Sequence, residues 1–119
     1  MRHLKKVKKL GRKKDHRKAM LRNLATSVIL YEKVKTTEAK AKEARKLVEK
    51  LITASKNKNQ MLAIRQIQKI VYDNNASKKL IEDLKNRYKD KKSGYTRLTA
   101  IKNRAGDNAK IVQIELTAP

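Results

Sequence analysis

Two histidines and a neighbouring aspartate come closest, by type and spacing, to residues that support acid–base or metal chemistry. The chain has two histidines, His3 and His16, and Asp15 adjoins the second. A protein zinc site takes three or four ligands, and cations such as Arg17 beside His16 repel a metal ion. Nucleophilic catalysis also needs a base that a third group orients, and neither histidine has such a set around it. We therefore expect no enzyme, no metal, no cofactor and no small-molecule substrate.

Lysine and arginine supply the chemistry that the composition favours, which is the neutralisation of phosphate. The 119 residues include 33 Lys and Arg against 11 Asp and Glu, a formal net charge of +22. Such a charge opposes compaction by self-repulsion, so a polyanion is the natural partner. Nucleic acid is the leading candidate because binding cations release its counterions. Cysteine is absent, which excludes a disulfide scaffold and cysteine-based zinc sites.

Cations are densest in residues 1–14, which contain no acid. Leu4, Val7 and Leu10 are spaced for a short helix, but three apolar residues cannot bury it. We expect a basic arm that is loose alone and becomes ordered on its partner; the alternative is a merely solvated tail. The cations of this arm that we expect to contact phosphate are Arg2, Lys5, Lys6, Lys8, Lys9, Arg12, Lys13 and Lys14.

A helix with cations on its outer face is predicted to follow the arm. Asp15 has the side chain of an N-cap, and helical spacing of apolar residues continues from His16 to Tyr31. This helix would direct an apolar stripe to the core and its cations outward. The stripe consists of Met20, Leu21, Leu24, Val28 and Tyr31, and the outer face carries Arg17, Lys18, Arg22 and Asn23.

A second helix is predicted from Glu38 to about Ser55, with Thr37 as its cap and the acid in its first turn favouring the helix dipole. Its outer face mixes charges, including Lys46 and Glu49, and we expect that face to be solvated. The residues expected to be buried recur at spacings of three and four. They are Ala41, Ala44, Val48, Leu51 and Ile52.

Two more helices are predicted before residue 89 by the same periodicity. One spans residues 60–72, and the other begins after a cap at Asn75 or Ser77. Their predicted buried residues are Leu62, Ala63, Ile67, Ile70 and Val71 in the first, and Leu80, Ile81, Leu84 and Tyr88 in the second.

A β-hairpin is predicted where helical periodicity gives way to an alternation of two. Residues 96–101 and 112–116 alternate as strands, and residues 104–108 between them have turn chemistry that includes a glycine. Residues 33–37 are short and β-branched, as expected for a third strand beside the hairpin. Lys102, in this hairpin, is a candidate phosphate contact.

The expected fold is α+β, a two-layer α/β arrangement. The predicted order is helix, strand, three helices and a C-terminal β-hairpin, with a three-stranded sheet packed on the helices because one hairpin alone is marginally stable. We expect a basic RNA-binding arm, residues 1–14, and a single globular domain, residues 15–117. No apolar run approaches about 20 residues and the basic N-terminus lacks the apolar region of a secretory signal. We therefore expect a soluble intracellular protein with no membrane partner.

Base stacking has weak support because aromatic residues are few. Trp and Phe are absent, and Tyr31, Tyr72 and Tyr88 fall on helical stripes, where packing is expected. Tyr95, beside Arg97, is the tyrosine expected to stack on a base or pack against a sugar; cross-strand packing is the alternative. Backbone recognition of folded RNA fits this composition better than reading of single-stranded sequence.

Three blocks of residues, in order along the chain, carry a resemblance to a known family. They are Met1-Arg2-His3, Gly11-Arg12 and His16-Arg17-Lys18-Ala19-Met20-Leu21-Arg22-Asn23; Thr36-Thr37-Glu38 and Ala41-Lys42-Glu43; and Gly94-Tyr95-Thr96-Arg97, Arg104-Ala105-Gly106-Asp107 and Ile114-Glu115-Leu116. In this order they resemble the bacterial large-subunit ribosomal protein L17 family. Residues 56–92 carry no landmark and match only in helical character.

The resemblance implies a structural constituent of the large (50S) ribosomal subunit, located in the bacterial cytoplasm. It implies binding to 23S ribosomal RNA near the outer end of the peptide exit tunnel, beside neighbouring ribosomal proteins that include the L32 type. By position in the matching motifs, it implies RNA contacts at Arg2, His3, Arg12, His16, Arg17, Arg22, Asn23, Tyr95, Arg97 and Arg104.

Two other classes of function remain open from the sequence. A nucleoid protein would coat duplex DNA through the same cations, and basic amphipathic helices bind anionic membrane surfaces. The membrane reading is disfavoured because each apolar stripe is needed for the core of the protein. Sedimentation with large ribosomal subunits that survives DNase but not RNase would separate the ribosomal class from the DNA-coating class.

Overall fold

The computed structural model describes residue 10 and residues 13–119. Its elements are α1 Lys14–Tyr31, β1 Lys33–Thr37, α2 Glu38–Ser55, α3 Gln60–Gln68, α4 Asn74–Lys79, a π-helical turn Leu80–Leu84, α5 Lys85–Arg87, β2 Thr96–Asn103 and β3 Lys110–Leu116. The predicted order is confirmed, since α4, the π-helical turn and α5 follow each other without a break. Most of the predicted arm lies outside the described residues, and so do the predicted RNA-binding residues Arg2, His3, Lys5, Lys6, Lys8, Lys9 and Arg12.

The three strands form one antiparallel sheet in the order β1-β3-β2, so the last strand in sequence is central. Ile114 of β3 lies opposite Val34 of β1 and Leu98 of β2, and residues in such register share a face. The register shifts between Ala100 and Lys102, where β2 carries one extra residue. The predicted third strand beside the hairpin and the α+β class are confirmed.

The core lies between this sheet and the helices. Val28 of α1, Val48 and Ile52 of α2 and Ile114 of β3 are completely buried, and they belong to one apolar cluster that Val34 and Leu98 also contact. Burying each such side chain contributes about 1.5–3 kcal/mol. The helices therefore cover one face of the sheet, as the marginal stability of an isolated hairpin requires.

The second helix has the predicted bounds and the predicted buried residues. Thr37 occupies the N-cap position, but its hydroxyl makes no capping hydrogen bond. The prediction that the outer face is solvated is wrong for Glu49. Its carboxylate accepts hydrogen bonds from the Tyr95 amide at 3.3 Å and from the amide and hydroxyl of Thr96 at 3.1 and 2.9 Å. Glu49 therefore ties α2 to the beginning of β2.

The predicted cap and stripe of the first helix need two corrections. The helix begins at Lys14 with Lys13 at the N-cap position, so Asp15 lies inside the first turn instead of capping it. Tyr31 is 73% exposed, and Ile29 is buried in its place. The reason is that α1 ends at Tyr31, where the chain leaves the helix through Glu32 in the left-handed region at φ 64°.

Caps also move the boundaries of the later helices. The third helix ends at Gln68 instead of residue 72, and Asn59 caps it by accepting from the Leu62 amide at 3.2 Å. The predicted cap at Asn75 or Ser77 is wrong, because Asp73 accepts from the amides of the next turn at 2.7 and 3.3 Å. Leu80, Leu84 and Tyr88 are buried as predicted and Ile81 is half-buried, whereas Leu62 is exposed.

Two tyrosines close the corner between α5 and the hairpin. The rings of Tyr88 and Tyr95 lie 5.2 Å apart at 53°, and the Tyr88 hydroxyl donates to the Thr117 carbonyl at 2.6 Å. The Tyr95 hydroxyl accepts from Lys56 Nζ at 2.8 Å. Gly94, at φ +70°, allows the turn that precedes this corner.

Glu32 joins the end of α1 to the helical stretch that ends at α5. Its carboxylate accepts from Arg87 and from Lys79 Nζ at 3.0 Å, and its carbonyl accepts from the Leu116 amide at 3.0 Å. The hydrogen bond from Arg87 is the main reason that the pKa of Glu32 falls to about 2 from its usual 4.5; burial opposes this, and Lys79 adds to it.

We expect the free energy of unfolding to decrease as the pH falls from about 4.5 to about 2. In this range the unfolded chain holds a proton on Glu32 that the folded chain does not, so stability rises with pH. The contribution is about 1 kcal/mol, because the 38% exposed side chain is screened by solvent. Urea unfolding at several pH values should show a shallower pH dependence for Glu32→Gln. An identical dependence in both proteins would assign the effect to other carboxylates.

Candidate nucleic-acid interface

The described cations of the predicted interface on α1 lie in its first turns. Lys13, Lys14, His16 and Lys18 are exposed, and Arg17 is half-buried. None of these side chains pairs with a carboxylate among the described residues. The positive charge of the three lysines and of Arg17 is therefore available to an external polyanion.

A groove between α1 and α2 brings further cations next to them. It measures about 360 Å³, and Lys18 and Arg22 of α1 line it together with Lys46 and Lys50 of α2. A neighbouring groove of about 600 Å³ shares Arg22 and Lys50 and adds Lys69 from the end of α3. We call the two together the basic groove, defined by Lys18, Arg22, Lys46, Lys50 and Lys69.

The basic groove combines positive charge with an apolar floor. Glu43 is the acid among its lining residues, and it pairs with Lys46 at 3.3 Å. Half-buried Leu21, Leu47 and Ile70 form part of the floor. Because the cations are mounted on packed helices, little backbone conformational entropy is lost when a phosphate chain binds between them.

Tyr72 borders the basic groove through its contact with Arg22. Arg22 donates a hydrogen bond to the Tyr72 hydroxyl, and its guanidinium carbon lies 5.6 Å from the ring centre. Tyr72 nevertheless remains 72% exposed. Its predicted place on a buried helical stripe is wrong, because α3 ends before it and leaves it in the loop to α4.

The two predicted hairpin arginines are already paired with acids. Arg97 bonds Glu115 through Nε at 2.9 Å and Nη2 at 2.8 Å. Arg104 bonds Asp107 with Nε–Oδ1 at 3.0 Å and Nη2–Oδ2 at 2.6 Å. Lys102 is exposed and has no ion pair among the described residues. The hairpin therefore presents less uncompensated charge than its sequence indicates.

The Arg104 pair also organises the hairpin loop. Asp107 Oδ1 accepts from the Ala109 amide at 3.2 Å, and the Arg104 amide donates to the Ala109 carbonyl at 2.7 Å. The pKa of Asp107 is lowered to about 2. The largest cause is the hydrogen bond from the Arg104 side chain, and the second is the hydrogen bond from the Ala109 amide.

We expect Arg104→Ala to raise the pKa of Asp107 from about 2 towards its usual 3.8, because the largest cause of the lowering is removed. Side-chain carboxyl NMR titration measures this directly, with Lys92→Ala as a control that removes a cation elsewhere on the surface. An unchanged pKa in the Arg104 variant would mean that the backbone amide alone holds the carboxylate ionised.

Tyr95 belongs to the core and not to the surface. It is 1% exposed and packs against Tyr88, so neither ring face is open to a base. Of the two roles considered for this residue, the structure favours packing. The sequence leaves both roles open because Tyr95 adjoins Arg97, whereas its burial depends on Tyr88 at the end of the helical stretch.

A family model described as Ribosomal protein L17 matches residues 20–117. The chain belongs to the ribosomal protein L17 family. The match covers most of α1, the whole of α2 and α3 and the three strands, so it includes the hairpin and all the defining cations of the basic groove except Lys18. The resemblance found in the sequence is confirmed, and family membership makes this chain a structural ribosomal protein instead of an enzyme.

Curated relatives extend this similarity over nearly the whole chain. The large ribosomal subunit protein bL17 of Syntrophotalea carbinolica is 47% identical over 116 residues, which cover 98% of this chain and 74% of that protein. The bL17 of Syntrophus aciditrophicus is 48% identical over 115 residues, 97% and 91% of the two chains. The bL17 of Caldanaerobacter subterraneus is 47% identical over 109 residues, 92% and 96% of the two chains.

Four lysines of the L17 basic groove were not predicted as RNA contacts. Lys18 was expected on the outer face of the first helix, without a named contact. Lys46 and Lys50 fall on the face of α2 that was expected to be merely solvated, and Lys69 lies within the predicted third helix but outside its apolar stripe. A signal was present, since Lys46 and Lys50 are one helical turn apart and so share a face. What the sequence lacks is the packing angle that turns this face towards α1.

No described helix is long and apolar enough to cross a membrane. Among the residues that the structure describes, no three His, Cys, Asp or Glu side chains group as metal ligands do.

Proposed function

We propose that this chain binds large-subunit ribosomal RNA directly, with the basic groove and the first turns of α1 as its main contact surface. The observation that carries the proposal is the charge of the groove, where Lys18, Arg22, Lys46, Lys50 and Lys69 converge with Glu43 as the acid among them. The relatives are named as large ribosomal subunit proteins, and membership of their family supports the same assembly for this chain.

The physical basis is the exchange of counterions for fixed cations along the ribose–phosphate backbone. Phosphates that lie between α1 and α2 would meet cations on both sides, and the release of their counterions favours binding. A structured RNA is read mainly through its shape and backbone. A rigid groove with an apolar floor suits that mode better than a flexible tail would.

The remaining predicted contacts supplement this surface. We include the arm, residues 1–14, whose cations extend the positive charge beyond α1. Arg97 remains 67% exposed beside Glu115, so a phosphate can approach its outer side. Tyr95 is omitted because it is buried. The proposed contacts outside the basic groove are Arg2, His3, Lys5, Lys6, Lys8, Lys9, Arg12, Lys13, Lys14, His16, Arg17, Asn23, Arg97, Lys102 and Arg104.

The position within the subunit is also part of the proposal. The family resemblance supports a place near the outer end of the peptide exit tunnel, next to a ribosomal protein of the L32 type. Crosslinks from lysines of the basic groove to RNA and to neighbouring proteins in purified subunits would test it. Crosslinks confined to RNA and proteins far from the tunnel exit would contradict the location without affecting RNA binding.

Nuclease treatment before sedimentation tests the proposed function itself. In gently lysed cells the chain should sediment with large subunits after DNase and leave that fraction after RNase. Purified chain should bind large-subunit RNA with an affinity that falls roughly 10³-fold between 50 and 200 mM salt if about six phosphates are contacted. Sedimentation that depends on DNA instead would favour a nucleoid protein and overturn the proposal.

A further inference from the structure

We propose that Tyr72, with Arg22, Asn23 and Asp73, forms a site for one unpaired base of the bound RNA. The proposal rests on the proposed RNA-binding function and goes beyond it, because phosphate contacts alone carry no sequence information. It assigns to the surface a residue that the sequence pattern places in the core.

The first observation is an exposed ring that is held in position. Tyr72 is 72% exposed, yet Arg22 donates to its hydroxyl and places its guanidinium carbon 5.6 Å from the ring centre. Arg22 thus holds the side chain from the hydroxyl and from one side of the ring, and most of the ring surface stays exposed. An aromatic ring that is both fixed and accessible is a ready platform for a base, since every base has a face that stacks.

The second observation is a cavity beside the ring. It measures about 330 Å³ and is lined by Arg22, Asn23, Thr26, Tyr72 and Asp73. Its volume is at the lower end of the range of small-molecule sites, which suits a single base and not a larger ligand. Proteins that recognise unpaired RNA bases combine stacking with hydrogen bonds to the base edge.

The polar groups of the cavity favour a base over a phosphate. The Asn23 side chain offers both a donor and an acceptor. Asp73 uses Oδ1 to cap α4, and its Oδ2 makes no hydrogen bond within the described residues. A carboxylate repels phosphate but accepts hydrogen bonds from the amino and imino groups of bases.

The cavity adjoins the basic groove, which can hold the phosphates of the nucleotide whose base enters the cavity. Arg22 lines both the groove and the cavity. A chain whose phosphates follow the cations of the groove can therefore turn one base out towards Tyr72. The base would be unstacked from its neighbours, as in a bulge or a loop.

The variant Tyr72→Ala tests the site, with Tyr31→Ala as its control, because Tyr31 is almost equally exposed at 73%. With deproteinised large-subunit ribosomal RNA as the probe, we expect the Tyr72 variant to lose roughly tenfold in affinity and the Tyr31 variant to lose none. The salt dependence should not change, because stacking releases no counterion. Tyr72→Phe should keep most of the affinity, since the ring remains.

A fluorescence measurement adds a direct readout. The chain contains no Trp, so Tyr72→Trp and Tyr31→Trp each carry one reporter. Stacking should quench the reporter at position 72 on addition of the same RNA and leave the reporter at position 31 unchanged. Equal RNA affinities of the two alanine variants would overturn the base site. So would a loss of affinity in the Tyr72 variant that comes with a salt slope lower by about one phosphate contact. Failure of the unaltered chain to bind RNA would instead overturn the proposed function.

Discussion

The triple replacement Lys18→Ala, Lys46→Ala and Lys50→Ala should weaken binding to large-subunit ribosomal RNA roughly 100-fold at 0.1 M salt. Each phosphate contact contributes about 0.9 to the slope of log K against log salt concentration. Three contacts therefore change the binding constant by about two to three powers of ten between about 1 M and 0.1 M salt. Filter binding or fluorescence anisotropy over a salt series measures both the affinity and the slope. We expect the slope to decrease by between about two and three.

The control for this experiment removes the same charge elsewhere. Lys58, Lys78 and Lys89 are exposed and lie outside the basic groove, so their triple alanine variant should lose far less affinity. Alanine is the best helix former, so the replacements in α1 and α2 should not unfold the protein, and circular dichroism checks this. Equal losses in the two triple variants would mean that net charge, and not the basic groove, determines binding.

Tyr88→Ala should destabilise the protein by about 3–5 kcal/mol, the range for removing a large buried aromatic side chain. Tyr88 is completely buried, packs on Tyr95 at 5.2 Å and donates to the Thr117 carbonyl. Its loss would leave a cavity between α5 and the hairpin and an unpaired carbonyl at the end of β3. Thermal unfolding should show a midpoint lower by more than about 10 °C, given about 4–8 °C for each kcal/mol in a chain of this size.

Two variants separate the components of this effect. Tyr88→Phe keeps the ring and loses only the hydrogen bond, so about 1 kcal/mol is expected. Tyr31→Ala, at an exposed position, should change stability by no more than about 0.5 kcal/mol. A Tyr88→Ala protein as stable as Tyr31→Ala would show that the corner between α5 and the hairpin does not limit the stability of the fold.

The four tyrosines show where sequence reasoning fails. Tyr31 and Tyr72 continue apolar stripes in the sequence but lie at or beyond the ends of α1 and α3, so they are exposed. Tyr95 has the neighbours of a surface residue but is buried against Tyr88. Where a helix begins depends on which of several neighbouring residues caps it. Here Asp73 does so by accepting hydrogen bonds from amides of the next turn. Periodicity alone does not say where one helix stops and the next begins.

The sequence by itself determined the class of fold, the order of the elements and the class of partner. Spacings of three, four and two follow from the geometry of helix and strand, so the stripe of α2 and the strands of the hairpin could be predicted from composition and order alone. The excess of lysine and arginine over acids likewise fixes the sign of the partner's charge, because the net charge of the chain does not depend on how it folds.

The tertiary structure decided which charges act together. Lys18 and Lys46 are far apart in sequence, and only the packing of α1 on α2 makes them opposite walls of one groove. Within the hairpin, cations are compensated instead: strand pairing brings Arg97 to Glu115, and the loop brings Arg104 to Asp107. Electrostatic attraction depends on distance, and distances between residues remote in sequence exist only once the chain has folded.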